Sequence, residues 1–185
     1  AWNAYSDFRE VSRNSIAHLP PDAWRAIRRY TLAHTCQIDR AVGRILAALE
    51  ASGVADETAV VFTSDHGDFL GDHRLLRKSH CACDALLHVP FILHAPFAAG
   101  LPTEIAAATS NCDVLPTLAD LAGIPAPAGL DGRSLLDSAH APASEHAAFA
   151  FSANGEPEVQ NYTVYDDRYR LTWYPNFGFV ELGDH

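Results

Sequence analysis

Apolar residues return at helical spacing through Trp24, Ile27, Ile38, Val42, Ile45, Leu46 and Leu49. Pro20-Pro21-Asp22 opens this segment with Asp22 as the N-cap, and Ser52-Gly53 closes it, so the pattern predicts one long amphipathic helix over 22–51. The period then changes. Thr58-Ala59-Val60-Val61-Phe62-Thr63 is a short run rich in β-branched and aromatic residues, predicting a strand buried on both faces that stops at Ser64-Asp65-His66-Gly67. Val89-Pro90-Phe91-Ile92-Leu93 predicts a second strand. Residues 68–88 between them form a polar loop with His73, Arg74, Arg77, Lys78, His80 and His88, longer than a plain connection requires and therefore a functional candidate.

Further along, Ile105 to Ala108 predicts a short strand. Asp113 caps a helix that ends at Gly123, with Pro116 tolerated in its first turn and Pro125, Pro127 and Gly129 marking the break. From residue 147 the pattern alternates: Ala148-Phe149-Ala150-Phe151, then Thr163-Val164-Tyr165, then Arg168 to Trp173 across an Asp166-Asp167 turn, which predicts an antiparallel hairpin within a small sheet. Residues 1–19 carry no period and read as an irregular lead-in. The organisation expected is α/β over 1–140 and antiparallel β over 141–185.

Composition narrows the classes. The 185 residues are 48% apolar and 19% charged, which suits a globular domain with a core and argues against disorder. No apolar run approaches the ~20 residues of a bilayer span. The opening stretch, with Asp7, Arg9, Glu10 and Arg13, lacks the apolar run of a secretory signal, so a segment neither anchored nor targeted is expected. A net charge of -10 disfavours nucleic acid and anionic membranes as partners, leaving a local site for any anionic substrate. The chain has no methionine, as expected of a piece of something longer. Its 13 basic residues include a single lysine, Lys78, in a background that otherwise uses Arg.

Four cysteines, Cys36, Cys81, Cys83 and Cys112, are too few for a disulfide scaffold. Cys81-Ala82-Cys83 beside His80 is one residue short of the usual zinc spacing and has no second pair, so small buried side chains are the better reading. Asn161-Tyr162-Thr163 matches a glycosylation acceptor.

The sharpest chemical feature is Asp65-His66 at a strand end, where ligands gather in open α/β sheets. A carboxylate and an imidazole suit Ca²⁺, Mg²⁺, Mn²⁺ or Zn²⁺, and the Gly that follows lets the backbone turn tightly. The alternative is structural, with Asp65 capping the loop and His66 packed beneath it. Lys78 lies within reach in sequence to neutralise a bound anion, which points the segment toward an oxygen-rich, charged substrate.

The stretch Thr58-Ala59-Val60-Val61-Phe62-Thr63-Ser64-Asp65-His66-Gly67-Asp68-Phe69-Leu70-Gly71-Asp72-His73, followed by Lys78 and by Val89-Pro90-Phe91-Ile92, resembles the second half of the sulfatase family in the alkaline phosphatase superfamily. Ile38 to Leu46, Asp113 to Ile124, Gly129 to Leu135 and Arg168 to Leu171 are similar to further family segments in the same order, so the likeness covers roughly residues 30 to 182. It implies an alkaline-phosphatase-like fold, a mostly parallel sheet flanked by helices with a small antiparallel sheet after it. It also implies metal-dependent hydrolysis of sulfate esters. Asp65 and His66 match metal ligands of that family, Lys78 matches the lysine that contacts the sulfate, and His73 and His80 fall in the substrate loop. The implied cofactors are one divalent cation, Ca²⁺ foremost with Mn²⁺, Mg²⁺ or Zn²⁺ as alternatives, and a formylglycine nucleophile.

The chain departs from the family in one major respect. No cysteine is followed by proline two residues later, so the Cys- or Ser-x-Pro-x-Arg nucleophile motif is absent, as is the family's first pair of metal-binding Asp residues. Cys83-Asp84 stands where an aromatic-acidic pair is usual, and His88 where Arg commonly precedes Val-Pro. The expectation is half an active site, inactive alone, whose partner is the N-terminal portion of the same enzyme and whose substrate is a small sulfate or phosphate ester. A phosphodiesterase or phosphonate monoester hydrolase of the same superfamily, or a non-catalytic binding domain, are the alternatives.

Overall fold

The long periodic segment folds as α1, Pro21–Ala51, in the computed structural model, which describes residues 19–78, 82–105, 109–138, 148–152, 160–165 and 168–184. Pro20, extended at φ -69 and ψ 156, stands at the N-cap, and Asp22 lies in the first turn rather than capping it. Pro21, at the first helical position, supplies a preset φ where no backbone donor is needed, and Asp22 pairs with Arg25 one turn on. At the other end Gly53 takes φ 75 and its N–H donates to the Glu50 carbonyl. No residue of α1 is buried, and Ile38 and Ile45 of the apolar stripe are exposed among the described residues.

The chain divides into two compact units, residues 1–79 with 83–97, and residues 80–82 with 98–185. In the first, β1 (Val60–Thr63) pairs with β2 (Phe91–His94), Val60 opposite His94 and Thr63 opposite Phe91. The pairing is antiparallel. The expected mostly parallel sheet is therefore not found among the described residues, because the two strands that read as its members run in opposite directions. β1 is also half-buried to exposed rather than covered on both faces, with Phe62 open on one side. A short helix, α2 (Asp84–Leu87), precedes β2, and the core of this unit is Phe69, Leu75, Cys83, Leu86 and Ala95. Cys83 is a small buried side chain as expected, Cys36 and Cys112 are exposed, and Cys81 lies outside the described residues.

In the second unit a turn at Asn111–Asp113 leads into α3 (Val114–Leu121). Asp113 stands at the N-cap of α3 as expected but makes no side-chain capping bond there; the turn before it is capped by Ser110. The Ser110 side chain accepts from the Cys112 N–H, while the Asp113 carboxylate accepts from the Ser110 N–H, a reciprocal capping box. Asp113 is buried and its other oxygen accepts the Arg133 N–H at 3.0 Å, pinning the Gly132-Arg133 turn before α4 (Leu135–Ser138). The expected strand at 105–108 falls largely outside the described residues.

The antiparallel sheet predicted for the C-terminal part is present with strand order β3-β4-β5-β6, where β3 is Ala148–Ser152, β4 Asn161–Tyr165, β5 Tyr169–Tyr174 and β6 Phe179–Asp184. The fourth strand, β6, goes beyond the sequence reading. One face carries Thr163 and Thr172, buried and 3.0 Å apart through their hydroxyls, beside an Arg170–Glu181 ion pair. Asn161 is fully buried on this sheet, which removes it as a glycosylation acceptor in the folded chain. Among the described residues no helix is long and apolar enough to cross a membrane.

Candidate active site

β1 ends at Thr63, and the next residues form a sequence of local hydrogen bonds that fixes Asp65 and His66. The Ser64 hydroxyl donates to the His66 carbonyl at 2.9 Å, and the His66 N–H donates to Asp65 Oδ1 at 2.9 Å. Gly67 turns the chain back against α2. A Cβ there would lie 2.0 Å from the Ala85 carbonyl oxygen, so only glycine lets the Gly67 N–H reach the Leu86 carbonyl at 2.9 Å.

This geometry sets the state of the imidazole. His66 Nδ1 is 2.7 Å from the Gly67 carbonyl oxygen, which can only accept, so Nδ1 carries a proton. In the neutral ring Nε2 then presents its lone pair, and Nε2 lies 3.5 Å from Asp65 Oδ2. Two donor atoms sharing an ion through bonds of ~2.1–2.3 Å are separated by about 3–3.5 Å, so the pair fits a common cation. A cation between them also relieves the repulsion of two facing lone pairs, and the carbonyl on Nδ1 is the usual orienting partner of a metal-bound histidine. Asp65 is exposed and His66 half-buried, which leaves the outer side open to further ligands. Among the described residues no three His, Cys, Asp or Glu side chains come together as a metal site.

The Asp65 carboxyl is held below its ordinary value of 3.8, foremost by the hydrogen bond from the His66 N–H. Desolvation opposes this, and attraction to His66 and then to Lys78 adds to it. The charge of Lys78 thus reaches Asp65. Its position comes from a tight loop. Asp68 Oδ1 accepts the N–H groups of Leu70 at 2.8 Å and of Arg77 at 3.0 Å, and the Phe69 N–H donates to the Arg77 carbonyl at 2.9 Å. Phe69 is fully buried beneath it.

Between those ties, Leu70, His73, Arg74 and Arg77 all adopt left-handed backbone, with φ of 45, 53, 61 and 62. Such conformations cost free energy for non-glycine residues and persist where the surroundings over-determine them. The surroundings include α1: Gly71, at φ 104, sits against the Trp24 ring, and Arg28 Nε donates to the Leu70 carbonyl at 3.1 Å. Of the residues singled out in the sequence, Asp65, His66 and Lys78 are brought to one region of the first unit, and His73 is exposed on the same loop. His80 lies outside the described residues. The tight turn read at Gly67 is present, whereas Asp68 and the Trp24–Gly71 contact went unread in the sequence; the spacing of Asp68 two residues before Leu70 is that of an Asx turn, a signal that was available.

The Sulfatase family model matches residues 3–124. Arylsulfatase K of Danio rerio is 35% identical over 152 residues, a match that covers 78% of this chain and 28% of that protein. A solved 2-O GAG sulfatase superposes with a TM-score of 0.77 at 27% identity, covering 92% of this chain and 40% of that one. The phosphonate monoester hydrolase of Silicibacter pomeroyi superposes with a TM-score of 0.68 at 29% identity, covering 80% of this chain and 32% of that one. This chain therefore spans well under half the length of the proteins it matches. With the family model matching most of its length, the chain belongs to the sulfatase family.

Proposed function

We propose that the chain supplies the second half of the active site of a metal-dependent sulfate ester hydrolase. The observation that carries this reading is the placement of Asp65 Oδ2 and His66 Nε2 3.5 Å apart, with the far imidazole nitrogen already committed to the Gly67 carbonyl. Asp65 and His66 would hold one divalent cation, Ca²⁺ foremost, which when bound polarises the oxygens of the ester. Lys78 binds the anionic sulfate with a compact, strongly hydrated charge, and a chain of net charge -10 needs such a local cation to admit an anion. His73 and His80 are assigned to the substrate loop.

The nucleophile and the remaining metal ligands belong to sequence outside these 185 residues, since no Cys- or Ser-x-Pro-x-Arg motif occurs in them. The formylglycine expected of the family enters there. Residues 1–140 are proposed as the C-terminal part of the α/β catalytic domain and 141–185 as the start of its small antiparallel subdomain. Likeness to a phosphonate monoester hydrolase keeps phosphonate esters as the second reading.

The test is hydrolysis of an aryl sulfate and an aryl phosphonate monoester by the full-length protein containing this chain. A clear preference for the sulfate, lost in Asp65→Ala, His66→Ala and Lys78→Ala, is the result expected. Preference for the phosphonate selects the second reading. Turnover by residues 1–185 alone, or full activity in the three variants, overturns the assignment of half a site.

A further inference from the structure

We propose that Asp68 is a positioning residue that fixes Lys78 relative to the Asp65-His66 pair by clamping both ends of the loop between them, an inference that rests on the reading of Lys78 as the sulfate-binding lysine. The argument is geometric. A single carboxylate oxygen, Asp68 Oδ1, accepts the N–H of Leu70 and, nine residues along the chain, that of Arg77, while the neighbouring Phe69 N–H closes onto the Arg77 carbonyl. Both the N–H and the carbonyl of Arg77 are thereby tied to the residues that follow Gly67, and Lys78 is the next residue on.

Other ties on the loop, from Arg28 to the Leu70 carbonyl and from the Gly71 N–H to the Leu75 carbonyl, lie N-terminal to Arg77 and do not reach it. Besides the short turn at Asp72–Arg74 the loop consists of irregular backbone, and four of its non-glycine residues are left-handed, including Arg77 itself. A segment with that much local strain relaxes when a tie is removed. Asp68 is exposed and its charge is not enclosed, so its value lies in where the oxygen sits, two backbone hydrogen bonds at one atom, rather than in its charge. Buried Phe69, next in sequence, anchors the carboxylate's own backbone.

The test uses Asp68→Asn and Asp68→Glu in the full-length protein. Asparagine keeps an acceptor oxygen in place without the charge, and glutamate keeps the charge but moves the oxygens one methylene outward. The positioning account predicts kcat/KM within about threefold of wild type for Asp68→Asn and a loss of ~10- to 100-fold for Asp68→Glu, with metal affinity unchanged in both. Amide hydrogen exchange at Arg77 should accelerate in Asp68→Glu and stay slow in Asp68→Asn. The reverse order of activities, equal activities, or a loss that tracks metal affinity overturns the proposal. Absence of sulfate ester turnover in the wild type overturns the sulfatase reading alone, and the exchange rates then decide whether Asp68 clamps the loop.

Discussion

Gly67→Ala tests whether the backbone after the Asp-His pair is as tightly packed as described. The new Cβ would stand 2.0 Å from the Ala85 carbonyl oxygen and 3.0 Å from its carbon, and both are backbone atoms that cannot rotate away. Either α2 moves off or residues 66–68 do, and in each case the 2.9 Å bond from the Gly67 N–H to the Leu86 carbonyl is lost. Overpacking costs about 1–3 kcal/mol and the lost hydrogen bond about 1 kcal/mol, so the variant should be ~2–4 kcal/mol less stable. With an unfolding slope near 2 kcal/mol per M of urea, the midpoint falls by about 1–2 M. Because the Gly67 carbonyl also orients the His66 ring, divalent-ion affinity should drop roughly tenfold or more. Urea unfolding followed by circular dichroism, with calorimetric ion titration on the folded variant, reads both quantities. A midpoint within error of wild type together with unchanged ion affinity would show that α2 does not press on this turn.

Asp113→Ala leaves the Ser110 and Arg133 N–H groups without their carboxylate and should cost about 2–4 kcal/mol in the same unfolding assay, with Asp113→Asn costing less. Burial, and secondarily the charge of Asp113, raises the Tyr165 pKa above 10.0, so Asp113→Asn should bring the Tyr165 titration part of the way back in a nuclear magnetic resonance series; no movement contradicts the coupling. Asp65 titrates below 3.8, so its contribution is fully present above that value and is lost only as pH falls through its lower folded pKa. The carboxyl-carbon titration of Asp65 should show this midpoint and should keep most of the depression in His66→Ala, because the backbone N–H that dominates it survives the substitution; a midpoint at or above 3.8 contradicts the turn geometry.

The helix α1 was legible because its boundaries are written in proline and glycine, whose backbone preferences act locally. Its burial was not. The stripe through Ile38, Ile45 and Leu46 reads as core-facing, yet these side chains are exposed among the described residues. This chain covers 28% of the length of Danio rerio arylsulfatase K, so periodicity reports a face that packs without saying that the packing partner lies within the same 185 residues. The same holds for β1, where a continuous apolar run implied cover on both sides while among the described residues it pairs with one antiparallel neighbour and stays half-buried to exposed.

At the site, Asp65, His66 and Lys78 were visible because their chemistry is unusual for their setting: donors at a strand end, and one lysine in an Arg-rich chain. The loop that carries Lys78 was read as a long polar connection, but its conformation was not legible. Left-handed backbone at Leu70, His73, Arg74 and Arg77 runs against the local preference of every one of those residues, and a carboxylate bonding nine residues away leaves no periodic trace. The Asp113 case is milder: the sequence placed it at the N-cap of α3, but its carboxylate bonds back to Ser110 and across to Arg133, which depends on the turn before α3.

The central claim is that Asp65 and His66 share one divalent cation. Titration of the metal-stripped full-length protein with Ca²⁺ and with Mn²⁺, in wild type and in Asp65→Ala and His66→Ala, addresses it without relying on turnover. The account predicts one tight site in wild type and affinity weakened ~100-fold or more in each variant, the direct ligands costing at least what orienting partners cost. Equal affinity in all three proteins would contradict it.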